Sequence, residues 1–313
     1  MLEEPKASQK TRKESKRREM GWSPANSDKE QHQKDADPTA WFRKYKHGGT
    51  SSLISTLTTV MTFPIYKTVF RQQLHSSGFR ETVAQLNKEG PLKLYRGVAP
   101  PLLMKTLNGT LLFGLQGTLL QRLSRAESIL PGTVLPALAG LGAGVVEALI
   151  FTPFERVQNI LQNSGNDRSL PTIRSILVRL RSENLAQGFY RAFLPILARN
   201  ALGSSLYFGL KDPVSSALRE QGLSPVASSF FSGVFNSMVI SLPLYPMSVL
   251  VANMQAKVGE QKLGLRASMQ KLWRARQCSL ILLYRGGSLV ILRSCISWGI
   301  TTAIYDRLEK RTN

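Results

Sequence analysis

Three prolines lie inside apolar, helix-like stretches of this chain, and each is followed nine residues later by a glutamine: Pro64 with Gln73, Pro153 with Gln162, and Pro246 with Gln255. The prolines are 89 and 93 residues apart. A second marker, Tyr-Arg, recurs at Tyr95-Arg96, Tyr190-Arg191 and Tyr284-Arg285, with spacings of 95 and 94. Two independent markers with one period define a unit of roughly 90–95 residues used three times, longer than the roughly 20–50 residues of soluble solenoid repeats. Such a unit holds two membrane-spanning helices of about 20 residues each. The chain therefore divides into a disordered polar tail, 1–45, and repeats over 46–131, 132–223 and 224–313.

Apolar runs and their breakers give six expected spans, over about 48–74, 98–122, 133–162, 193–218, 226–255 and 287–308. The mean hydropathy of the whole chain is near zero, at −0.11. Helices around a water-filled path carry polar residues on one face, which lowers that average. The small residues Gly140, Gly142 and Gly144, and Gly203, Ser204 and Ser205, suit close helix approach in lipid. The expected fold is an all-α membrane protein of three tandem two-helix repeats. Its six transmembrane helices surround a central cavity, with short helices such as Phe79 to Lys88 and Leu265 to Trp273 in the long connectors.

The net charge of +21 suggests nucleic-acid binding, but the positions of the charges argue against it. Residues 1–47 hold 12 basic and 8 acidic side chains and no apolar core of a secretory signal. The connectors 75–97, 163–192 and 256–286 carry +2, +3 and +6, whereas 121–132 and 211–225 carry +1 and 0. Basic residues in alternate loops are a topology signal and place the long connectors on the cytoplasm-like side of a membrane, which for a mitochondrial inner membrane is the matrix.

Enzymatic catalysis has no residues to carry it. There is no Gly-Lys-Ser/Thr phosphate loop, no His-Glu-x-x-His and no Gly-x-Ser-x-Gly elbow. Gly140-Leu-Gly142-Ala-Gly144 has its third glycine one position early for a dinucleotide fingerprint, and reads as helix packing. Cys278 and Cys295 give neither a disulfide framework nor a zinc spacing, and His32, His47 and His75 are scattered, so neither a metal nor a cofactor is expected.

With these markers the sequence resembles the mitochondrial carrier family (solute carrier family 25), over about residues 46–310. That family's signature is Pro-x-[Asp/Glu]-x-x-[Lys/Arg]-x-[Lys/Arg]-x-Gln, a gap, then [Asp/Glu]-Gly-x4-aromatic-[Lys/Arg]-Gly. Glu89-Gly90 with Tyr95-Arg96-Gly97 meets the second half, as in part do Tyr190-Arg191-Ala192 and Tyr284-Arg285-Gly286. The first half is eroded. Its acidic position reads Tyr66, Glu155 and Ser248, and its basic position Val69, Gln158 and Val251. The stretches Phe63 to Gln73, Pro153 to Gln158 and Tyr284 to Arg293 are similar to the NAD-carrier subgroup.

The resemblance implies a multi-pass protein of the mitochondrial inner membrane, a monomer, that alternates access around one site. It implies substrate contacts on the even helices at Met104, Arg199 and Arg293, beside Lys105, Asn200 and Ser294. Glu147 lies at mid-span, where a charge is a functional hypothesis by default. Arginine forks beside Lys105 suit an anionic small-molecule substrate, such as NAD, a related nucleotide, or a carboxylate or keto acid. The matrix gate maps to Tyr66, Glu155, Gln158 and Ser248. With one carboxylate there, the family's ring of ion pairs cannot form, which leaves a non-transporting membrane scaffold open as another reading. Lys67, Arg71 and Arg156 are placed at the gate or lipid interface. Cardiolipin is implied at Tyr95, Arg96, Gly97, Tyr284, Arg285 and Gly286, because helix N-termini with adjacent arginines bind phosphate.

Overall fold

A computed structural model describes residues 38–124, 134–259 and 263–312, with side chains described over 54–107, 115–123, 134–259 and 263–304. The chain divides into two units, Met1–Ser51 and Ser52–Asn313, and the helical bundle belongs to the second. Of the expected polar tail, residues 1–37 lie outside the described residues.

The described residues are helical throughout, without strands. Helix α1 is Pro38–His75, α2 Phe79–Glu89, α3 Pro91–Leu94 and α4 Ala99–Ser124. The order recurs as α5 Leu135–Gln162, α6 Ile173–Arg181, α7 Leu185–Gly188 and α8 Phe193–Glu220. It recurs again as α9 Pro225–Gln255, α10 Leu265–Ala275, α11 Leu280–Leu283 and α12 Gly287–Thr312. Each expected apolar run corresponds to one long helix, and α2 and α10 are the short connector helices read at Phe79 and Leu265.

Among the described residues, three stretches are long and apolar enough to cross a membrane: Leu135–Gln162, Pro225–Gln255 and Leu280–Ile304. Helices α1, α4 and α8 do not reach that standard. They carry charged residues, among them the cavity-lining Lys105 and Arg199 and the buried Lys67, which lower their hydropathy.

Chain ends are set by local chemistry. The Thr172 hydroxyl accepts the Ser175 amide at 3.2 Å and opens α6. Ser224 accepts the Ala227 amide at 3.3 Å ahead of Pro225 at the start of α9. The buried face of α6, with Ile176 and Leu180, packs on Val157, Ile160 and Leu161 of α5.

Glycines decide how α5 meets its neighbours. A Cβ on Gly144 would stand 2.5 Å from the Asn200 carbonyl oxygen, and one on Gly140 2.6 Å from that of Ser204. Both meet the backbone of α8, which cannot turn aside. Gly142 faces α4 instead, where a Cβ would meet the flexible end of Leu119 at 3.0 Å. The glycine run is thus a packing surface on two sides of one helix, as its faulty fingerprint spacing implied.

Pro64, Pro153 and Pro246 lie inside α1, α5 and α9, which run through them. A proline leaves the carbonyl four residues earlier without its helical donor. For Pro153 that carbonyl is Leu149, and the Tyr190 hydroxyl donates to it at 3.1 Å. The tyrosine of the second Tyr-Arg marker therefore repairs the bond that the proline removes. The residue after each marker adopts a left-handed backbone: Gly97 (φ 93°), Ala192 (φ 65°) and Gly286 (φ 96°). Ala192 bears the strain that glycine avoids. Its methyl packs with Ala148, Ile196 and Val251, which offsets part of that cost.

Replacing Gly144 by Ala is expected to push α5 from α8 and destabilise the protein by about 1–3 kcal/mol. Gly142→Ala should cost markedly less, because Leu119 can rotate. Thermal unfolding of the purified protein in detergent measures both, and equal losses would contradict the close contact.

Candidate functional site

All the long helices contribute to one polar cavity. It has two lobes, of about 580 Å³ and about 350 Å³, which share Tyr66, Glu147, Glu155, Arg199, Asn200 and Arg293. Met104, Lys105, Gln158 and Ser294 line the larger lobe and Ser248 the smaller. The residues read from the sequence as substrate contacts, and the gate residues Tyr66, Glu155, Gln158 and Ser248, therefore border the same space, whereas Lys67, Arg71 and Arg156 do not line it.

The strongest contact joins one member of each group. Arg199 donates from Nη1 to Glu155 Oε1 at 2.9 Å and from Nη2 to Oε2 at 2.8 Å, a bidentate pair between α8 and α5. The Asn200 side-chain oxygen, Oδ1, accepts from Arg199 Nε at 3.1 Å and Nη2 at 3.0 Å. The lone carboxylate of the eroded ring thus pairs with Arg199, which the sequence reading placed among the substrate contacts. Arg293 lies over the Tyr66 ring at 5.7 Å, and its charge faces the negative π-surface. Ser204 donates to Glu147 at 3.4 Å, and Lys105 is within electrostatic reach of Glu147 and Arg293.

The gate residues behave unequally. The Gln158 amide nitrogen is buried without a hydrogen-bond partner among the described residues. Ser248 turns back on its own helix, donating to Leu244 O at 3.4 Å, and does not bridge to Tyr66 or Glu155. Deeper, where α1, α5 and α9 end, the helices are tied together by side chains against backbone carbonyls. Arg156, fully buried, donates to the carbonyls of Gly188, Gln255 and Lys257. Asn159 donates to the Gln255 side chain at 2.7 Å and Asn163 to Ala256 O at 3.0 Å. Asn253 and Arg276 both donate to the Gln73 carbonyl. Burial, and then Arg285, push the Arg276 guanidinium below its ordinary range. In the sequence only polar residues after the three prolines, such as Gln73, Asn159 and Asn253, hinted at this network.

Lys67, buried at 1% exposure, donates to Lys93 O. This matches the contact of Arg156 with Gly188: in each case a cation three residues after the proline meets the carbonyl two residues before the tyrosine. Arg71 pairs with Glu89 at 2.9 Å.

The residues read as a lipid site are largely engaged with protein. Arg96 pairs with Asp167 and donates to Leu170 O at 2.7 Å, and Arg285 donates to Ser76 O at 2.6 Å. Tyr95 stacks on Phe63 at 6.0 Å and Tyr284 on Tyr245 at 5.7 Å. A side chain on Gly97 would crowd Gln162 and Leu161, and one on Gly286 would crowd Tyr245 and Gln72. The markers act first as braces between helices.

A family profile described as mitochondrial carrier protein matches residues 131–222. The chain is 49% identical over 275 residues to human Solute carrier family 25 member 53, covering 86% of this chain and 88% of the relative. It is 36% identical over 252 residues to the mouse mitochondrial nicotinamide adenine dinucleotide transporter SLC25A51, covering 80% of this chain and 84% of the relative. To the human mitochondrial nicotinamide adenine dinucleotide transporter SLC25A52 it is 35% identical over the same length and shares.

The Glu155–Arg199 pair predicts strong non-additivity. Glu155→Gln and Arg199→Ala each leave a partly buried charge without its partner and should each cost about 1.5–3 kcal/mol. The double variant should cost clearly less than their sum. A double-mutant cycle in thermal unfolding checks this, and strict additivity would mean that the pair does not form.

Proposed function

We propose, from the premise that this chain belongs to the mitochondrial carrier family, that it moves an anionic metabolite across the mitochondrial inner membrane, with NAD or a related nucleotide favoured. The observation that carries this reading is the single cavity into which Arg199, Arg293 and Lys105 project from the even helices. In water-poor surroundings three cations seek anionic partners, and guanidinium forks suit phosphate. The relatives named as nicotinamide adenine dinucleotide transporters, at 35–36% identity, favour a dinucleotide. The aromatic rings of Phe63, Tyr66, Phe151 and Trp298 along the larger lobe add surfaces on which a base can stack.

Access alternates in this reading. Repeats 46–131, 132–223 and 224–313 each contribute two of six spans around the cavity, and the protein works as a monomer. The basic long connectors face the matrix, and the contacts of Arg156, Asn159, Asn253 and Arg276 close that side. An incoming anion competes with Glu155 for the Arg199 fork. Releasing Glu155 loosens the tie between α5 and α8 just above this seal, so binding and opening share one interaction. Cardiolipin is held by backbone amides at the starts of α4 and α12 rather than by Arg96 and Arg285, whose guanidinium groups have protein partners.

A second reading has its own support. Arg199 already holds a carboxylate in a bidentate clasp, the geometry that a carboxylate or keto-acid substrate needs. Rat mitochondrial 2-oxodicarboxylate carrier is 27% identical over 70% of this chain.

Uptake of NAD and of a dicarboxylate into liposomes containing the purified protein separates these readings and a non-transporting scaffold. Arg293→Ala is expected to weaken NAD affinity roughly ten- to a hundredfold, with partial recovery in Arg293→Lys. Glu147→Gln should weaken NAD, which carries a cationic nicotinamide, and leave a plain dianion unharmed. Normal NAD affinity in Arg293→Ala would remove the central-site assignment, and no uptake of either solute by the wild type would favour the scaffold.

A further inference from the structure

We infer that Tyr66 is a specificity-determining residue whose ring selects solutes bearing a cationic aromatic group, so that oxidised NAD is preferred over its reduced form. This rests on the dinucleotide reading of the cavity. Tyr66 stands where the repeat pattern puts an acidic residue, and it lines both lobes. Its ring stacks on Phe63 at 6.1 Å, which itself stacks on Tyr95 at 6.0 Å, so three aromatic rings run from the cavity to the connector. The stack holds the ring in place, and the cation it carries is the Arg293 guanidinium at 5.7 Å.

That guanidinium is planar, delocalised and positive, as is the pyridinium of oxidised NAD. A dinucleotide brings a second feature, a pyrophosphate, which competes for the same arginine. When pyrophosphate draws Arg293 off Tyr66, the exposed ring face loses its cation, and a pyridinium can take its place. The exchange keeps charge matched at both ends: arginine to phosphate, pyridinium to the tyrosine π-face. The reduced dinucleotide carries the same phosphates but a neutral dihydropyridine. It can displace Arg293 but cannot restore the cation–π contact, and a plain dicarboxylate has no ring to offer. Glu147 on the same walls adds attraction for a positive ring. At a desolvated site a cation–π contact corresponds to roughly three- to thirtyfold in affinity.

The test is competition by unlabelled oxidised and reduced NAD against labelled oxidised NAD in liposomes, for wild type, Tyr66→Phe and Tyr66→Leu. The wild type should favour the oxidised form by about three- to thirtyfold. Tyr66→Phe keeps the π-face, loses only the hydroxyl, and should keep most of that preference. Tyr66→Leu should bring the ratio close to one by weakening the oxidised form toward the reduced. A ratio unchanged in Tyr66→Leu, or near one in the wild type, would overturn the role of Tyr66 and leave the dinucleotide reading standing. Absence of dinucleotide uptake in the wild type would overturn both.

Discussion

One ion pair organises the middle of this protein. Glu155 is the single carboxylate at the three eroded positions of the repeat pattern, and it spends both oxygens on Arg199. A carboxylate buried in a helical bundle needs a partner, and with Val69, Gln158 and Val251 at the usual cationic positions the partner had to come from elsewhere. It came from the neighbouring even helix, so Glu155 of α5 and Arg199 of α8 form one unit on the cavity wall. That unit relies on the close approach of α5 and α8 at Gly140 and Gly144, since a wider crossing would pull the fork from the carboxylate.

Without a ring of ion pairs, the seal passes to helix ends. The last carbonyls of a helix have no intrahelical donors and are natural acceptors. Here Arg156, Asn163, Asn253 and Arg276 reach across to the terminal carbonyls of neighbouring long helices. Such bonds involve neutral acceptors and are individually weaker than charge pairs, so closure is spread over many modest contacts. The repeats also solve shared problems differently. Repeats one and two brace their connectors with Lys67 and Arg156. At the matching place repeat three has Val249, packed with Tyr245, Leu272 and Leu283. Glycine takes the left-handed turn twice, and an alanine with a buried methyl takes it once.

The sequence carried the element order well, because the proline and tyrosine markers and the apolar runs repeat on one period. It pointed to residues of the cavity too: Met104, Arg199 and Arg293 follow the three markers at one spacing, Lys105 lies beside the first of them, and Glu147 lies six residues before Pro153. Pairing was not legible. Glu155 and Arg199 are 44 residues apart, and nothing in spacing tells whether a fork faces a solute or a neighbouring carboxylate. Nor did the pattern reveal the backbone partners of Arg156 or the Tyr190 bond to Leu149, since carbonyl acceptors leave no trace in residue identity. Arg96 and Arg285 read as phosphate ligands from their place before helix starts. Their guanidinium groups turn inward because Asp167 and the end of α1 offer nearer acceptors.

If the solute and Glu155 compete for Arg199, removing the charge of Glu155 must favour the solute. Isothermal calorimetry of NAD binding to wild type and Glu155→Gln in detergent measures this directly. The account predicts binding several-fold tighter in the variant, because an uncharged amide holds Arg199 less firmly than a carboxylate. Binding that is weaker or unchanged in Glu155→Gln would contradict it.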